Sequence, residues 1–199
     1  MKKISVLCVI FIICGLFQAP VCSLAHEVGP GRSYRFRDIG NIPVTMDTMS
    51  TIPQSIVYEG FNDWNNKIGK TYFYWGSFAN ARCYFTSPQL EYWMWGDGVM
   101  AQTLVENDAR LWNVKCLYGE AGFSSGTVRK AIIEVHPNGE VYYPLESLKR
   151  YLVRHELGHV LGLGHVPMDY SIASIMYPTD ASQWHEVQPH DVADIHAFY

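Results

Sequence analysis

Residues 155–165 read HELGHVLGLGH, which places three of the chain's eight histidines within eleven positions. A helical pattern surrounds the start of this stretch and covers residues 144–161. Four side chains recur at steps of four, three and four residues and so share one helix face: Leu148, Leu152, His155 and His159. The sequence therefore predicts a long helix that carries two imidazoles on one face.

His155 and His159 lie one helical turn apart, so both imidazoles can approach one point, as a bound metal ion requires. Glu156 lies about 100° around the helix from His155, close enough to touch a water molecule on the metal without being a ligand. This is the H-E-x-x-H arrangement, in which the glutamate acts as a general base. We predict His155 and His159 as zinc ligands and Glu156 as the catalytic base.

His165 can join this site only if the chain leaves the helix before it. In a continued helix it would lie about 240° around from His159 and face away from the metal. Gly162 stands where a glycine-dependent bend could end the helix, and Gly164 adds freedom before the third imidazole. Three histidines and a water molecule make an open tetrahedral zinc site, which is the catalytic kind. We predict His165 as the third ligand of one catalytic Zn2+.

The pattern H-E-x-x-H-x-x-G-x-x-H, followed here by Met176, is the metzincin signature. Within that clan the chain most resembles the matrixins: HELGHVLGLGH, IMYP, DVADIHAFY and IVYEGFNDWNN are similar to the zinc helix, Met-turn, last helix and first helix of the matrixin catalytic domain. The resemblance implies a twisted, mostly parallel mixed sheet with about three helices, and a small C-terminal subdomain below the substrate cleft. It also implies that Met176 forms a tight turn beneath the zinc.

The resemblance also implies where a substrate would bind. The peptide would lie extended beside an edge strand containing AIIEVHP, residues 131–137, and would add to the sheet by backbone hydrogen bonds. Residues 179–188 would line the pocket for the side chain that follows the cut, with Trp184 as an apolar wall. Asp191 matches an aspartate of the last matrixin helix that pairs with a trimmed N-terminus, but an ordinary charge at a helix N-terminus is an equal alternative.

The chain departs from the matrixin pattern in several places. Val166 follows the third histidine, where matrixins tend to have serine, so the subfamily stays open. Tyr177 follows Met176 directly and is not predicted to be a ligand. The sequence shows no cysteine-switch segment and no His- and Asp-rich loop for structural zinc and calcium, so we expect neither that form of latency nor calcium dependence.

The composition is that of a globular protein, with 48% hydrophobic and 17% charged residues. The net charge of −4 and the absence of any basic run longer than two residues argue against nucleic-acid binding. β-Branched and aromatic stretches come mostly before the longest helical patterns, which predicts an α+β fold. An earlier helix is predicted over residues 52–69, with Gly69 as its end.

The N-terminus has the features of a secretory signal peptide. Lys2 and Lys3 precede an apolar run over residues 4–17, and residues 23–25 give small side chains at the −3 and −1 positions of a cleavage site. This run is short for a helix that spans a bilayer, although an uncleaved anchor is the alternative. We predict a signal peptide at 1–25, one catalytic domain at 26–199, and a secreted protein, extracellular or periplasmic, without stable membrane association.

Three of the five cysteines lie in the predicted signal peptide, which leaves Cys83 and Cys116. An even pair in an oxidising compartment favours a disulfide bond. Two free buried thiols are the alternative.

Together these features predict a zinc-dependent endopeptidase that acts on protein or peptide substrates, with a monomer as the expected state. Glu156 would take a proton from zinc-bound water and pass it to the leaving amine. Two alternatives stay open: a zinc-binding adhesion or binding module without turnover, and a narrow-specificity toxin or cell-wall peptide hydrolase. Glu156 argues against the first, because a module without turnover has no need of a carboxylate there.

Overall fold

The computed structural model describes residues 33–87, 100–107, 112–113, 125–166, 171–178 and 184–199. The predicted signal peptide at 1–25 lies outside these residues, as do Cys116 and residues 179–183 of the predicted pocket segment.

Seven strands form one sheet within the described ranges. They are β1 (Ser33–Phe36), β2 (Ile42–Met46), β3 (Phe73–Trp75), β4 (Cys83–Thr86), β5 (Ala101–Asn107), β6 (Trp112–Asn113) and β7 (Ser125–Val135). Six of them follow the order β3-β2-β4-β7-β5-β6, and β1 pairs with the first part of β7. β5 pairs antiparallel with β6 and with β7, and the other described pairs are parallel. The sheet is therefore mixed and mostly parallel, as predicted.

The strand that contains AIIEVHP is not an edge strand, so the predicted place of the substrate was wrong in this respect. β7 pairs with β4 on one side, where Ala131 lies opposite Cys83, and with β5 on the other, where Ile133 lies opposite Thr103. A short continuous apolar run is typical of a strand buried within a sheet, and Ala131 and Ile133 are fully buried. The antiparallel strand β5 lies beyond β7, farther towards the edge.

Four α-helices and a short 3-10 helix (Phe78–Asn80) complete the described fold. The α-helices are α1 (Gln54–Ile68), α2 (Gly139–Tyr142), α3 (Glu146–Val160) and α4 (Pro189–Phe198). The three longer helices correspond to the predicted ones, and α2 is a single short turn before α3. α1 ends where Gly69 adopts a left-handed φ of 72°, as the sequence predicts. None of the helices in the described ranges has both the length and the apolar character needed to cross a bilayer.

α1 and α3 pack against each other on one face of the sheet, α1 near β3 and α3 near β5. Gly60 allows this close approach, because a Cβ atom there would lie 2.4 Å from Cγ1 of Val153. Trp64 is fully buried, and its Nε1 donates a hydrogen bond to the carbonyl oxygen of Arg154 at 2.9 Å. Arg154 directly precedes His155, so this contact fixes α3 at the position where the candidate site begins.

Cys83 lies on β4 with its side chain fully buried in the core, and it forms no disulfide bond with another described residue. Burial raises the pKa of its thiol, because a thiolate is poorly solvated there. Its predicted partner lies outside the described residues, so the disulfide bond stays a prediction.

Candidate metal centre and active site

The first two imidazoles of the candidate site come from the last turns of α3. His155 and His159 are both buried, and their Nε2 atoms lie 3.1 Å apart. This is the geometry that a spacing of four residues gives when two side chains point the same way from a helix. The rings themselves are nearly perpendicular, at 86°, so the two nitrogen atoms approach one point from different directions.

The end of α3 turns the chain back towards these imidazoles. Gly162 has a φ of 95°, in the left-handed region that glycine adopts without steric cost. The Gly162 N–H donates to the His159 carbonyl oxygen at 2.9 Å, and the Leu163 N–H donates to the Gly158 carbonyl oxygen at 3.0 Å. These two bonds form a Schellman motif, a common way for a helix to end. The chain therefore leaves the helix at the glycine that the sequence indicates.

The bend brings His165 to the other two histidines. Its Nε2 lies 3.1 Å from the Nε2 of His155 and 3.1 Å from that of His159. The three Nε2 atoms thus form an equilateral triangle. Among the described residues these three histidines make up the group of side chains that could hold a metal ion.

The chemistry of the donor set fits a zinc ion. The Nδ1 of His155 lies 2.9 Å from the carbonyl oxygen of Ile175, and the Nδ1 of His159 lies 2.7 Å from that of Leu163. A carbonyl oxygen only accepts hydrogen bonds, so in each ring the proton is assigned to Nδ1 and the lone pair to Nε2. Zinc–nitrogen bonds of about 2.0–2.1 Å in a tetrahedron imply nitrogen–nitrogen separations of about 3.3 Å, close to the observed triangle.

Glu156 is buried next to the triangle, on the side of α3 that faces β5. Its Oε2 accepts a hydrogen bond of 2.6 Å from the hydroxyl group of Thr103, which is itself fully buried. Burial raises the pKa of the Glu156 carboxyl group to about 7, and the Thr103 hydrogen bond opposes this rise. A carboxylate with a pKa near neutrality can both take up and give back a proton, as a general base must.

Met176 lies in a turn beneath α3, in the position that the resemblance implies. Its side chain is fully buried, and a Cβ atom on Gly158 would lie 2.3 Å from its Sδ. The Met176 carbonyl oxygen accepts a hydrogen bond from the Val166 N–H at 2.9 Å. The turn thus supports α3 and also holds the segment that carries His165.

Tyr151, which was not predicted as a site residue, connects this turn to the first histidine. Its hydroxyl group donates to the carbonyl oxygen of Tyr177 at 2.7 Å, and its ring lies 5.5 Å from that of His155 between centroids. The signal for Tyr151 was its place one helical turn before His155. The Tyr177 hydroxyl group donates to the Ile172 carbonyl oxygen at 2.8 Å, and the view that Tyr177 is not a ligand stays a prediction.

Thr103 was not predicted as a site residue either, because no local sequence pattern indicates it. Fifty-three positions separate it from Glu156, and no motif contains it. Only the packing of β5 against α3 brings the two side chains together.

The other described histidines, which lack ligand spacing in the sequence, lie outside the three-histidine group: His136, His185, His190 and His196. His136 is buried, and its Nδ1 accepts a hydrogen bond from the Asn138 N–H at 3.0 Å. The Nδ1 atom of His190 lies 3.4 Å from Oδ2 of Asp194, which is one turn further along α4.

The described end of the predicted pocket segment is attached to α3. The carbonyl oxygen of His185 accepts a hydrogen bond from Nη1 of Arg154 at 3.0 Å. Trp184 is half-buried and packs against the core, so its role as a pocket wall stays a prediction.

A family model for matrixins matches residues 93–199, just over half of the chain. No curated protein sequence is detectably similar. The match includes α3, the bend after it, the turn with Met176 and α4. Matrixins use zinc, and the triangle of imidazole nitrogens is compatible with a zinc site. The chain therefore belongs to the matrixin family of zinc metalloendopeptidases.

Proposed function

We propose that this protein is a secreted endopeptidase in which His155, His159 and His165 hold one catalytic zinc ion and Glu156 is the general base. The observation that carries the proposal is the equilateral triangle of Nε2 atoms, each 3.1 Å from the other two. Such close lone pairs repel one another unless a cation lies among them. The buried carboxylate beside the triangle gives the site a group that can move protons.

The protein's own residues would orient the reactants and move one proton. A bound zinc ion would polarise the scissile carbonyl group and make a coordinated water molecule more acidic. Glu156 would receive the proton of the attacking water and return it to the leaving amine. The carbonyl oxygens of Ile175 and Leu163, bonded to the Nδ1 atoms, would hold two rings in the tautomer and orientation that ligands need.

We propose that the substrate lies along β5 instead of β7. Among the described residues, the side of β5 away from β7 is paired only at Val105 and Glu106, with β6. The preceding part of β5 carries Thr103, which contacts Glu156. An extended peptide could add to the sheet here by backbone hydrogen bonds, close to the carboxylate that would act on it.

We propose further that residues 1–25 direct export and are removed, so that the active protein consists of a single catalytic domain at residues 26–199. N-terminal sequencing of the exported protein tests this directly. A first residue of His26 is expected, and retention of Met1 on exported protein would contradict cleavage.

The central test compares Glu156→Ala with the parent in zinc content and in peptide cleavage, with and without chelator. The variant is expected to keep its zinc, since Glu156 is not a proposed ligand, and to lose about 10²–10⁴-fold in rate, the usual contribution of a general base. Chelator is expected to stop peptide cleavage by the parent.

Glu146→Gln is the matched control, because Glu146 is an exposed carboxylate in the first turn of the same helix. It should retain zinc and cleave like the parent. If Glu156→Ala cleaves as fast as the parent, the mechanism is wrong. If the parent binds zinc but cleaves none of a broad peptide library, a binding module without turnover is favoured.

A further inference from the structure

Thr103 is a fully buried polar residue on β5 whose hydroxyl group faces α3. Its Oγ1 lies 2.6 Å from Oε2 of Glu156 and 3.2 Å from the carbonyl oxygen of the same residue. Among the described residues, no other side chain donates a hydrogen bond to this carboxylate. A buried hydroxyl group needs a partner, and here that partner is the proposed catalytic base.

The shorter contact is the stronger one. An O–H···O bond of 2.6 Å to a carboxylate is within the range of charge-assisted hydrogen bonds. The hydroxyl group has one proton to donate, and the carboxylate attracts it more strongly than the peptide oxygen at 3.2 Å does. Oε2 is thereby held towards β5, which leaves Oε1 as the oxygen available to a water molecule.

We propose that Thr103 is a positioning residue that fixes the orientation of the Glu156 carboxylate for proton transfer. The inference rests on the proposed role of Glu156 and goes beyond it by assigning the group that holds this base in place. A glutamate side chain has three rotatable bonds, so its terminal oxygens can shift by an ångström or more without an anchor. Displacements of that size at a reacting centre can reduce rates about 100-fold.

The location of Thr103 gives this contact a second consequence. The same strand is the one along which we propose that the substrate lies. A hydrogen bond from β5 to Glu156 would therefore set the base at a fixed distance from the peptide backbone paired with that strand. Since β5 is held to β7 by an antiparallel ladder that includes the pair Thr103–Ile133, the anchor itself is rigid.

The test replaces Thr103 by valine, which has nearly the same shape but no hydroxyl group, and by serine, which keeps the hydroxyl group. In the exported, zinc-loaded protein, Thr103→Val is expected to lower kcat about 10- to 100-fold, with KM within about twofold and unchanged zinc content. Thr103→Ser is expected to recover most of kcat, a rescue that loss of packing alone would not show.

Thr45→Val is the matched control, because Thr45 is another buried threonine, on β2, without a hydrogen bond to Glu156. It should leave kcat unchanged. In the Glu156→Ala background, Thr103→Val should have no further effect on the residual rate, because the group that it positions is gone.

A second readout does not depend on activity. A buried hydroxyl proton that is bonded to a carboxylate exchanges slowly enough to give its own proton NMR resonance. This resonance is expected in the exported protein and should be lost or strongly shifted in Glu156→Ala. If Thr103→Val does not fold, Thr103→Ala takes its place in the kinetic test, and the resonance of the parent still tests the contact.

The outcomes separate the two proposals. If Glu156→Ala abolishes cleavage but Thr103→Val and Thr103→Ala cleave like the parent, the positioning role is wrong and the proposed function stands. An equal loss of kcat in Thr45→Val would also overturn the positioning role, since it would reflect general destabilisation. If Glu156→Ala cleaves like the parent, the proposed function itself is wrong.

Discussion

At the scale of single residues, Asp191 shows how one buried carboxylate organises the region below the candidate site. It is completely buried and accepts hydrogen bonds from the Ser174 hydroxyl group at 2.6 Å, the Ile175 N–H at 3.1 Å and the Gln188 N–H at 2.8 Å. It thus caps α4 and holds the start of the turn that contains Met176. Ile175 in turn supplies the carbonyl oxygen bonded to Nδ1 of His155, so Asp191 is linked to the site through a single residue.

We predict that Asp191→Asn lowers the free energy of unfolding by about 3 kcal/mol. An amide has one oxygen in place of two, so at least one buried donor loses its partner, at a cost of about 1–3 kcal/mol, in addition to the lost charge-assisted bonds. Urea unfolding monitored by tryptophan fluorescence measures the effect. Glu186→Gln makes the same chemical change on a side chain that is 67% exposed and is expected to change stability by less than about 0.5 kcal/mol. Equal losses in the two variants would contradict the structural role of Asp191.

At the scale of elements, the ends of α1 and α3 use the same backbone device for different purposes. Gly69 after α1 has a φ of 72° and Gly162 after α3 has a φ of 95°. The first bend leads into β3, and a Cβ atom on Gly69 would contact no neighbouring atom. The second bend determines where His165 points and places the Leu163 carbonyl oxygen 2.7 Å from Nδ1 of His159.

We predict that Gly69→Ala and Gly162→Ala each lower the free energy of unfolding by about 1–2 kcal/mol, because both force an L-residue into the left-handed region. Only Gly162→Ala should also weaken zinc binding, by up to about tenfold. The strained bend can relax in the metal-free protein, and zinc binding must then restore it. A strain of about 1.4 kcal/mol corresponds to a tenfold loss of affinity. Competition with a zinc-binding dye measures this. Similar zinc affinities for the two variants would show that the site does not depend on this bend.

At the scale of the whole molecule, Tyr199 joins parts of the chain that are far apart in sequence. Its hydroxyl group accepts a hydrogen bond from the Phe36 N–H of β1 at 3.1 Å and donates to the carbonyl oxygen of Leu161, just after α3, at 3.2 Å. Burial raises the pKa of Tyr199 from 10.0 to about 12, although the Phe36 hydrogen bond acts in the opposite direction. The end of α3 is thus linked to the first strand and to the end of α4 through the hydroxyl group of Tyr199.

We predict that Tyr199 makes stability fall with rising pH between about 10 and 12. Its pKa is higher in the folded protein than in the unfolded chain, so in this range the folded state holds more protons and becomes less stable relative to the unfolded state as pH rises. The full contribution of Tyr199 to folding stability is therefore present below pH 10. Urea unfolding of the parent and of Tyr199→Phe at about pH 9.5 and 11.5 tests this. The parent should lose more stability than the variant, and equal losses would contradict the prediction.

Local patterns predicted much of the fold and of the candidate site. The three longer helices follow from apolar periodicity, and Gly69 and Gly162 mark two ends because glycine adopts positive φ easily. The positions of His155 and His159 on one face follow from helical geometry alone. The edge position of the strand containing AIIEVHP was predicted incorrectly, because strand order is a property of pairings between distant segments.

The sequence by itself determined the three imidazoles, the carboxylate next to them and the glycine at the bend, because all of these lie within eleven residues and depend on local geometry. Tertiary structure alone decided the contact between Thr103 and Glu156, the buried cap formed by Asp191 and the place of β5 outside β7. The physical reason is that these features arise from packing between segments separated by many residues. A buried polar group needs a hydrogen-bond partner, but no spacing along the chain specifies which residue that partner will be.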